Sequence, residues 1–306
     1  MIESLTSLFF EWISVIEYVL SPSKRIYWLY LITSLVLAVY VLPRTKSHNV
    51  QHYLKAHRTK YWFNRSTLID LKWILVNQLL AIVIFVPILG GQVSWAMSVY
   101  RQFVQWFGDG DFLTWSSHYV IALFSITLFL AEDFSRFLVH FAYHKVPCLW
   151  RFHAIHHSAR VMTPLTLYRV HAVEYFINSI RAITVIGVVS GIFIYCFNGR
   201  IGVYKVLGVS IFNFLFNLAG ANLRHSNIWL GFGRFEKWFI SPAQHQIHHS
   251  TAKEHLDKNF GASLAIWDRI FGSWIASKNT EVKSFGLFKQ STQQKLRKQW
   301  AGISAK

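Results

Sequence analysis

Long apolar runs separated by short polar or basic stretches dominate the hydropathy pattern of this chain. Residues 26–42, IYWLYLITSLVLAVYVL, run without a charge to Pro43, and residues 73–89, WILVNQLLAIVIFVPIL, form a second such run. A helix rises 1.5 Å per residue, so each is just long enough to cross a bilayer core of about 30 Å. Both predict transmembrane helices. Residues 2–20 are apolar but carry Glu3, Glu11 and Glu17, which favours an interfacial helix, broken at Ser21 and Pro22. A third span is expected from about Leu113 to Val139. Residues 172–221 are apolar again, interrupted by Gly187, Gly191 and the turn FNGRIG at 197–202, and predict a helical hairpin that crosses fully or dips partway. The remainder from His225 is polar enough to lie on the membrane surface, and residues 278–306 predict a basic surface helix or disordered tail.

Charge orients these spans. The loop 43–72 carries Arg44, Lys46, Lys55, Arg58, Lys60, Arg65 and Lys72 against Asp70, which predicts a cytoplasmic location. The stretch 90–112 then reads as a connection on the far side, with Trp95, Trp106 and Trp115 as interfacial anchors. The third span delivers His140 to the cytoplasmic face.

Composition agrees with a multi-pass membrane protein. Hydrophobic residues make up 53% and charged residues 15% of the chain, where soluble domains carry about 25% charged residues. The net charge of +17 comes with no nucleic-acid recognition module and is better matched to anionic lipid head groups. Cys148 and Cys196 form no motif and read as free thiols facing a reducing cytoplasm. The N-terminus shows no basic region followed by a cleavage site, so no cleaved signal peptide is expected.

Histidine changes the picture. Of the 15 in the chain, ten fall between residues 140 and 249. His140 and His144 are four apart, while His153, His156, His157 and His245, His248, His249 repeat one H-x-x-H-H pattern. On a helix such spacings put rings on one face. Neutral imidazole is the commonest protein ligand for Zn, Cu, Fe and Ni, and eight clustered rings plus His225 exceed what one four-coordinate ion needs. The count favours two metal ions. Glu132, Asp133 and Arg136 read either as a structural ion pair or as groups orienting the rings. His48, His52 and His57 read as solvated or at head groups, His118 as interfacial and His255 as exposed.

Taken together, HFAYHKVPCLWRFHAIHH at 140–157, YRVHAVEY at 168–175, RHSN at 224–227, HQIHH at 245–249 and NFGASLAIWDRIFGSW at 259–274 resemble the fatty acid hydroxylase and sterol desaturase superfamily of membrane histidine-box di-iron enzymes. The resemblance covers roughly residues 113–275. Ala172 stands where the family often has Pro, and Ser273 where it has Thr. The resemblance implies an all-α, integral-membrane helical bundle with a cytoplasm-facing metal site. Its implied iron ligands are His140, His144, His153, His156, His157, His225, His245, His248 and His249. His171 is a further ligand or a hydrogen-bonding group, Glu174 and Asp268 are supporting groups, and Asn222 reaches a metal through water or serves capping and packing.

The implied organisation is an N-terminal membrane region at 1–112, with an interfacial helix and two transmembrane helices, a catalytic region at 113–276 and a basic tail at 277–306. The implied activity is O2-dependent hydroxylation or desaturation of a sterol, fatty acyl or related lipid at two iron ions, which zinc can replace in a preparation. Electrons would come from a separate cytochrome b5-like or ferredoxin-like donor, and no nucleic-acid partner is expected. An ether-lipid-cleaving monooxygenase of the same superfamily is the alternative enzyme. From another class, a histidine-rich metal transporter would place ligands near mid-membrane, whereas here they gather at the ends of apolar segments. A zinc hydrolase would need a carboxylate or water geometry that these boxes do not specify. Oligomeric state is open.

Overall fold

The computed structural model describes residues 19–41, 61–80, 91–109, 115–199, 201–206 and 209–287. Most of the expected interfacial helix at 2–20, His48, His52 and His57 of the basic loop, the second half of the 73–89 run and the tail beyond 287 lie outside the described residues. Within them the architecture is helical, apart from one antiparallel hairpin of β1 (Lys205–Val206) and β2 (Val209–Ser210).

The long elements are α1 (Trp28–Val41), α2 (Arg65–Leu80), α3 (Gly91–Phe107), α4 (Ser117–Lys145) and α6 (Ala172–Phe197). Ala172–Phe197 is long and apolar enough to cross a membrane, and Trp28–Val41 is a shorter apolar helix. α4 and α6 lie antiparallel. Phe124 meets Phe193 at 5.1 Å, Val120 and Phe197 share one core cluster, and Glu132 pairs with Arg181 at 3.2 Å further down.

Four expectations are corrected. The stretch 90–112 is not simply a connection, because α3 occupies most of it and runs parallel to α6. Gly187 and Gly191, four apart, remove the side chains that would hold the helices apart: a Cβ on Gly187 would run into the Trp95 ring, and one on Gly191 would lie 2.6 Å from Ala96 O. This small-xxx-small spacing lets helices approach closely. Trp95 therefore packs partway along α6, while Trp115 packs on Phe197 near the end of α6.

The second helix begins at Arg65, eight residues before the apolar run, because Asn64 caps it by accepting from the backbone of Ser66 and Thr67 at 2.8 and 3.1 Å. The hairpin at 172–221 has unequal arms, since its return consists of β1, β2 and the eight-residue α7 (Ile211–Leu218). Left-handed Asn198 ends the outbound helix. Finally, His255 is buried, with Nδ1 2.8 Å from Ser250 Oγ.

The outer faces of these helices are apolar and several inner positions are polar. Ile32, Leu35, Val36 and Val39 of α1 and Leu68, Leu71, Leu75 and Leu79 of α2 are exposed, whereas Asp70, Asn77 and Gln78 are buried. Asp70 binds Arg169 at 2.6 Å and accepts from Thr166 at 2.9 Å, and Arg169 also donates to Ser158 and Ser66. This satisfied pair fastens α2 to the loop that follows the second histidine box.

Candidate metal centre

Local signals aim each histidine box. α4 stops at Val146, whose extended backbone precedes Pro147, and α5 (Pro147–His157) restarts with that proline in its first turn. The break folds α5 back so that His153 and His157 face His140 and His144. A capping box opens α8 (Pro242–His248): Ser241 Oγ accepts from Gln244 N, and Gln244 Oε1 accepts from Ser241 N, both at 3.1 Å. His225 closes the 3-10 turn Ala221–His225 and reaches α8 from the side.

The nine rings gather into two groups. His140, His144, His153, His157 and His248 offer nitrogens within 4.8 Å of one another, as do His156, His225, His245 and His249. In the second group Nε2 atoms lie 3.2 Å apart between His156 and His225, 3.0 Å between His225 and His245, and 3.2 Å between His245 and His249. In the first, the His153 and His157 Nε2 atoms are 3.2 Å apart. Two nitrogens bound about 2.1 Å from one ion stand about 3.0 Å apart at right angles and about 3.4 Å apart at the tetrahedral angle. The spacings match such a shell.

Protonation is set from behind. His140 Nδ1 donates to Phe260 O at 2.8 Å, and His248 Nδ1 donates to Lys258 O at 2.8 Å. A carbonyl only accepts, so Nδ1 holds the proton and Nε2 presents a lone pair. Glu174 takes the same part for His153 at 3.0 Å, and Asp257 lies 3.4 Å from His144 Nδ1. The Nε2 atoms of His140, His144 and His248 are buried and have no hydrogen-bond partner. Lone pairs aimed together without a donor fit metal ligation, and carbonyl or carboxylate partners behind the rings are its usual support. Burial pushes His153, His157, His225, His245, His248 and His249 well below the ordinary imidazole range, with neighbouring rings adding to it, and takes His156 down to about 3. The donor set is neutral and fits two imidazole-rich metal ions.

The other sequence candidates sit outside these groups. His171 caps α6, its Nδ1 accepting from Val173 N at 3.1 Å, and its ring packs on Phe152 at 4.8 Å. Asn222 donates to Arg25 O at 2.8 Å. Asp268 accepts from Phe260 N and Gly261 N at 2.7 Å and from Ser273 Oγ at 2.6 Å, so Ser273 supplies the needed hydroxyl and Asp268 holds the segment whose Phe260 carbonyl faces His140. Asp133 accepts from Ser263 N, Leu264 N and Trp267 Nε1, while Glu132 binds Arg136 and Arg181. Neither carboxylate orients a ring directly.

Sequence reasoning missed the turn 257–260. It supplies the Asp257 carboxylate and the Lys258 and Phe260 carbonyls to three rings of the first group. Left-handed Asp257 and Asn259, with φ of 59° and 55°, shape it. Asp and Asn tolerate that conformation best after glycine, so their alternation was the available signal.

Residues 125–273 match the family model described as fatty acid hydroxylase. Alkylglycerol monooxygenase of Homo sapiens is 25% identical over 154 residues, covering 50% of this chain and 31% of that protein. Ornithine lipid hydroxylase of Rhizobium tropici is 27% identical over 161 residues, covering 52% and 44%. Alkylglycerol monooxygenase of Caenorhabditis elegans is 26% identical over 156 residues, covering 51% and 28%. The chain thus matches less than half the length of each of these relatives. No solved structure matches it. Residues 125–273, which hold both H-x-x-H-H boxes, the H-x-x-x-H box and His225 of the converging site, are thus similar to the fatty acid hydroxylase family, and these matches support the resemblance to the fatty acid hydroxylase and sterol desaturase superfamily.

Proposed function

We propose that the protein is a multi-pass membrane enzyme that uses O2 and external electrons to hydroxylate or desaturate a lipid at a di-iron centre facing the cytoplasm. His140, His144, His153, His157 and His248 would hold one ion, and His156, His225, His245 and His249 the other. The observation that carries this reading is the convergence of nine imidazoles into two groups, the first with unpartnered Nε2 lone pairs on His140, His144 and His248 and backbone proton acceptors behind His140 and His248. Bound iron supplies the power to break an unactivated C–H bond, which no side chain here provides.

The chain's own residues hold and shield the site. Phe260 and Trp150 pack on His144 at 5.0 and 4.9 Å and wall the first group from water. A cavity of about 200 Å³ is lined by Ser125, Phe129, Glu132, Arg136 and Asn213, among others, with no histidine in its lining. Arg136 lies one helical turn before His140, about 6 Å along α4. A lipid entering between apolar outer faces would reach this chamber one helical turn from His140. Placement of the substrate carbon decides whether it gains an oxygen or loses two hydrogens.

The names of the relatives favour a second reading, hydroxylation beside the oxygen of an ether lipid. The test is expression with a cytochrome b5-like or ferredoxin-like reductant, followed by mass spectrometry of lipid extracts. Gain of one oxygen or loss of two hydrogens is expected, and release of an aldehyde would identify ether cleavage. An unchanged lipidome with iron-loaded, reduced protein would overturn oxidation. His156→Ala and His248→Ala should each lose bound metal and activity while inserting normally; full lipid oxidation by either variant would refute the ligand assignment.

A further inference from the structure

Two arginines beside the second histidine group lack the partners that buried charge requires. Arg224 immediately precedes His225 and is only 4% exposed. Its Nε has no hydrogen-bond partner, and its described side-chain bond is a long donation from Nη2 to Ile240 O at 3.4 Å. Arg25, partly buried, leads into α1, and its carbonyl accepts from Asn222, so the turn carrying His225 also holds Arg25 in place. Both guanidiniums lie over the same ring: their Cζ atoms are 5.2 and 4.8 Å from the Phe216 centroid.

Among the described residues, no carboxylate forms an ion pair with either arginine. The acids in the neighbourhood of Arg224 are Asp133 and Asp268, and both are committed to backbone N–H donors. Arg136 adds positive potential at Arg25, although it is itself paired with Glu132 at 2.8 Å. Aromatic stacking offsets part of the cost of desolvation. Like charges held together away from water still call for an anion.

We propose that Arg25 and Arg224, gathered at Phe216, form a cradle for an oxyanion, the phosphate or carboxylate of an acidic lipid, next to the second histidine group. The planar forks of arginine match both oxyanions in two-point contact. The site lies at the foot of α1, whose exposed face is Ile32, Leu35, Val36 and Val39, so an amphiphile could leave its chain in the apolar region while its head enters the cradle. Resting on the lipid-oxidation reading above, this makes the substrate an acidic lipid oxidised near its charged head rather than at the far end of its chain. Asn222 acts as a positioning residue for Arg25.

The test is binding, measured on the full-length protein in nanodiscs without oxygen or reductant, so that it stands apart from any failure of the oxidation reading. The probes are dodecyl phosphate, dodecanol and inorganic phosphate, and the proteins are wild type, Arg25→Gln and Arg224→Gln. Dodecyl phosphate should raise the wild-type Tm while dodecanol does not, and each substitution should weaken dodecyl phosphate binding at least tenfold. Without ligand, the variants should melt at the wild-type temperature or above, since each removes an unpaired charge. Variants that melt lower yet bind dodecyl phosphate with wild-type affinity would reduce the cluster to a structural stack. An equal response to inorganic phosphate would overturn the lipid assignment. Arg25, less buried than Arg224, keeps the test decisive if Arg224→Gln does not fold.

Discussion

At the scale of single residues, the centre depends on which nitrogen of each ring carries the proton. Glu174 accepts from His153 and keeps the far nitrogen available. Glu174→Gln retains an oxygen at that position but loses the negative charge, and should weaken metal binding about tenfold, within the range seen when such supporting groups are changed. Competition against a chelator measures it. The same rings impose a pH dependence on metal-free protein. His156 is held near 3 when folded, against about 6.5 for an unperturbed imidazole, so the unfolded chain takes up a proton that the folded chain refuses. Stability is therefore full above about pH 6.5 and falls as pH drops through that value, by about 1.4 kcal/mol per pH unit for each such histidine. Urea midpoints of apo protein should fall steeply between pH 7 and 5, and metal should oppose the loss by occupying the same lone pairs.

At the scale of elements, the paired glycines of α6 show how an apolar segment was misread. The sequence marks Gly187 and Gly191 only as interruptions, whereas the structure uses them as the surface on which α3 lies. Hydropathy reports that a segment avoids water. It does not report which neighbour covers it, and Trp95 looks the same in an interfacial loop as against a glycine. Gly191→Ala should displace Ala96 and Val99 and lower stability by about 1–3 kcal/mol, the usual cost of overpacking. Thermal unfolding in detergent measures this, and the metal content of folded protein should stay unchanged because α3 contributes no histidine to either group. The short return arm of α7 has a similar explanation, since Ile201, Val203, Phe212 and Phe214 pack on other helices rather than forming a second long span.

At the scale of the whole molecule, the N-terminal helices are tied to the metal-bearing region by polar contacts that no local pattern announces. Asp70 was counted with a basic loop, yet it is buried against Arg169, 99 residues away. Asp70→Ala would strand that guanidinium and should cost about 3–5 kcal/mol. Denaturation should show the loss, with His156 and His157 losing metal first because Arg169 also grips Ser158. The nine histidines and their grouping in boxes were legible in the sequence, because helical spacing alone puts residues three and four apart on one face. Turn 257–260, the Asp70–Arg169 pair and the arginines at Phe216 were not legible, because each joins residues whose separation along the chain says nothing about distance in space. Sequence by itself determined the chemical character of the protein: apolar helices, a surplus of basic charge and a set of imidazoles suited to metal. Only tertiary structure decided that those imidazoles divide five and four, which groups hold their protons and where unpaired positive charge waits beside them, because convergence is a property of packing rather than of local conformation.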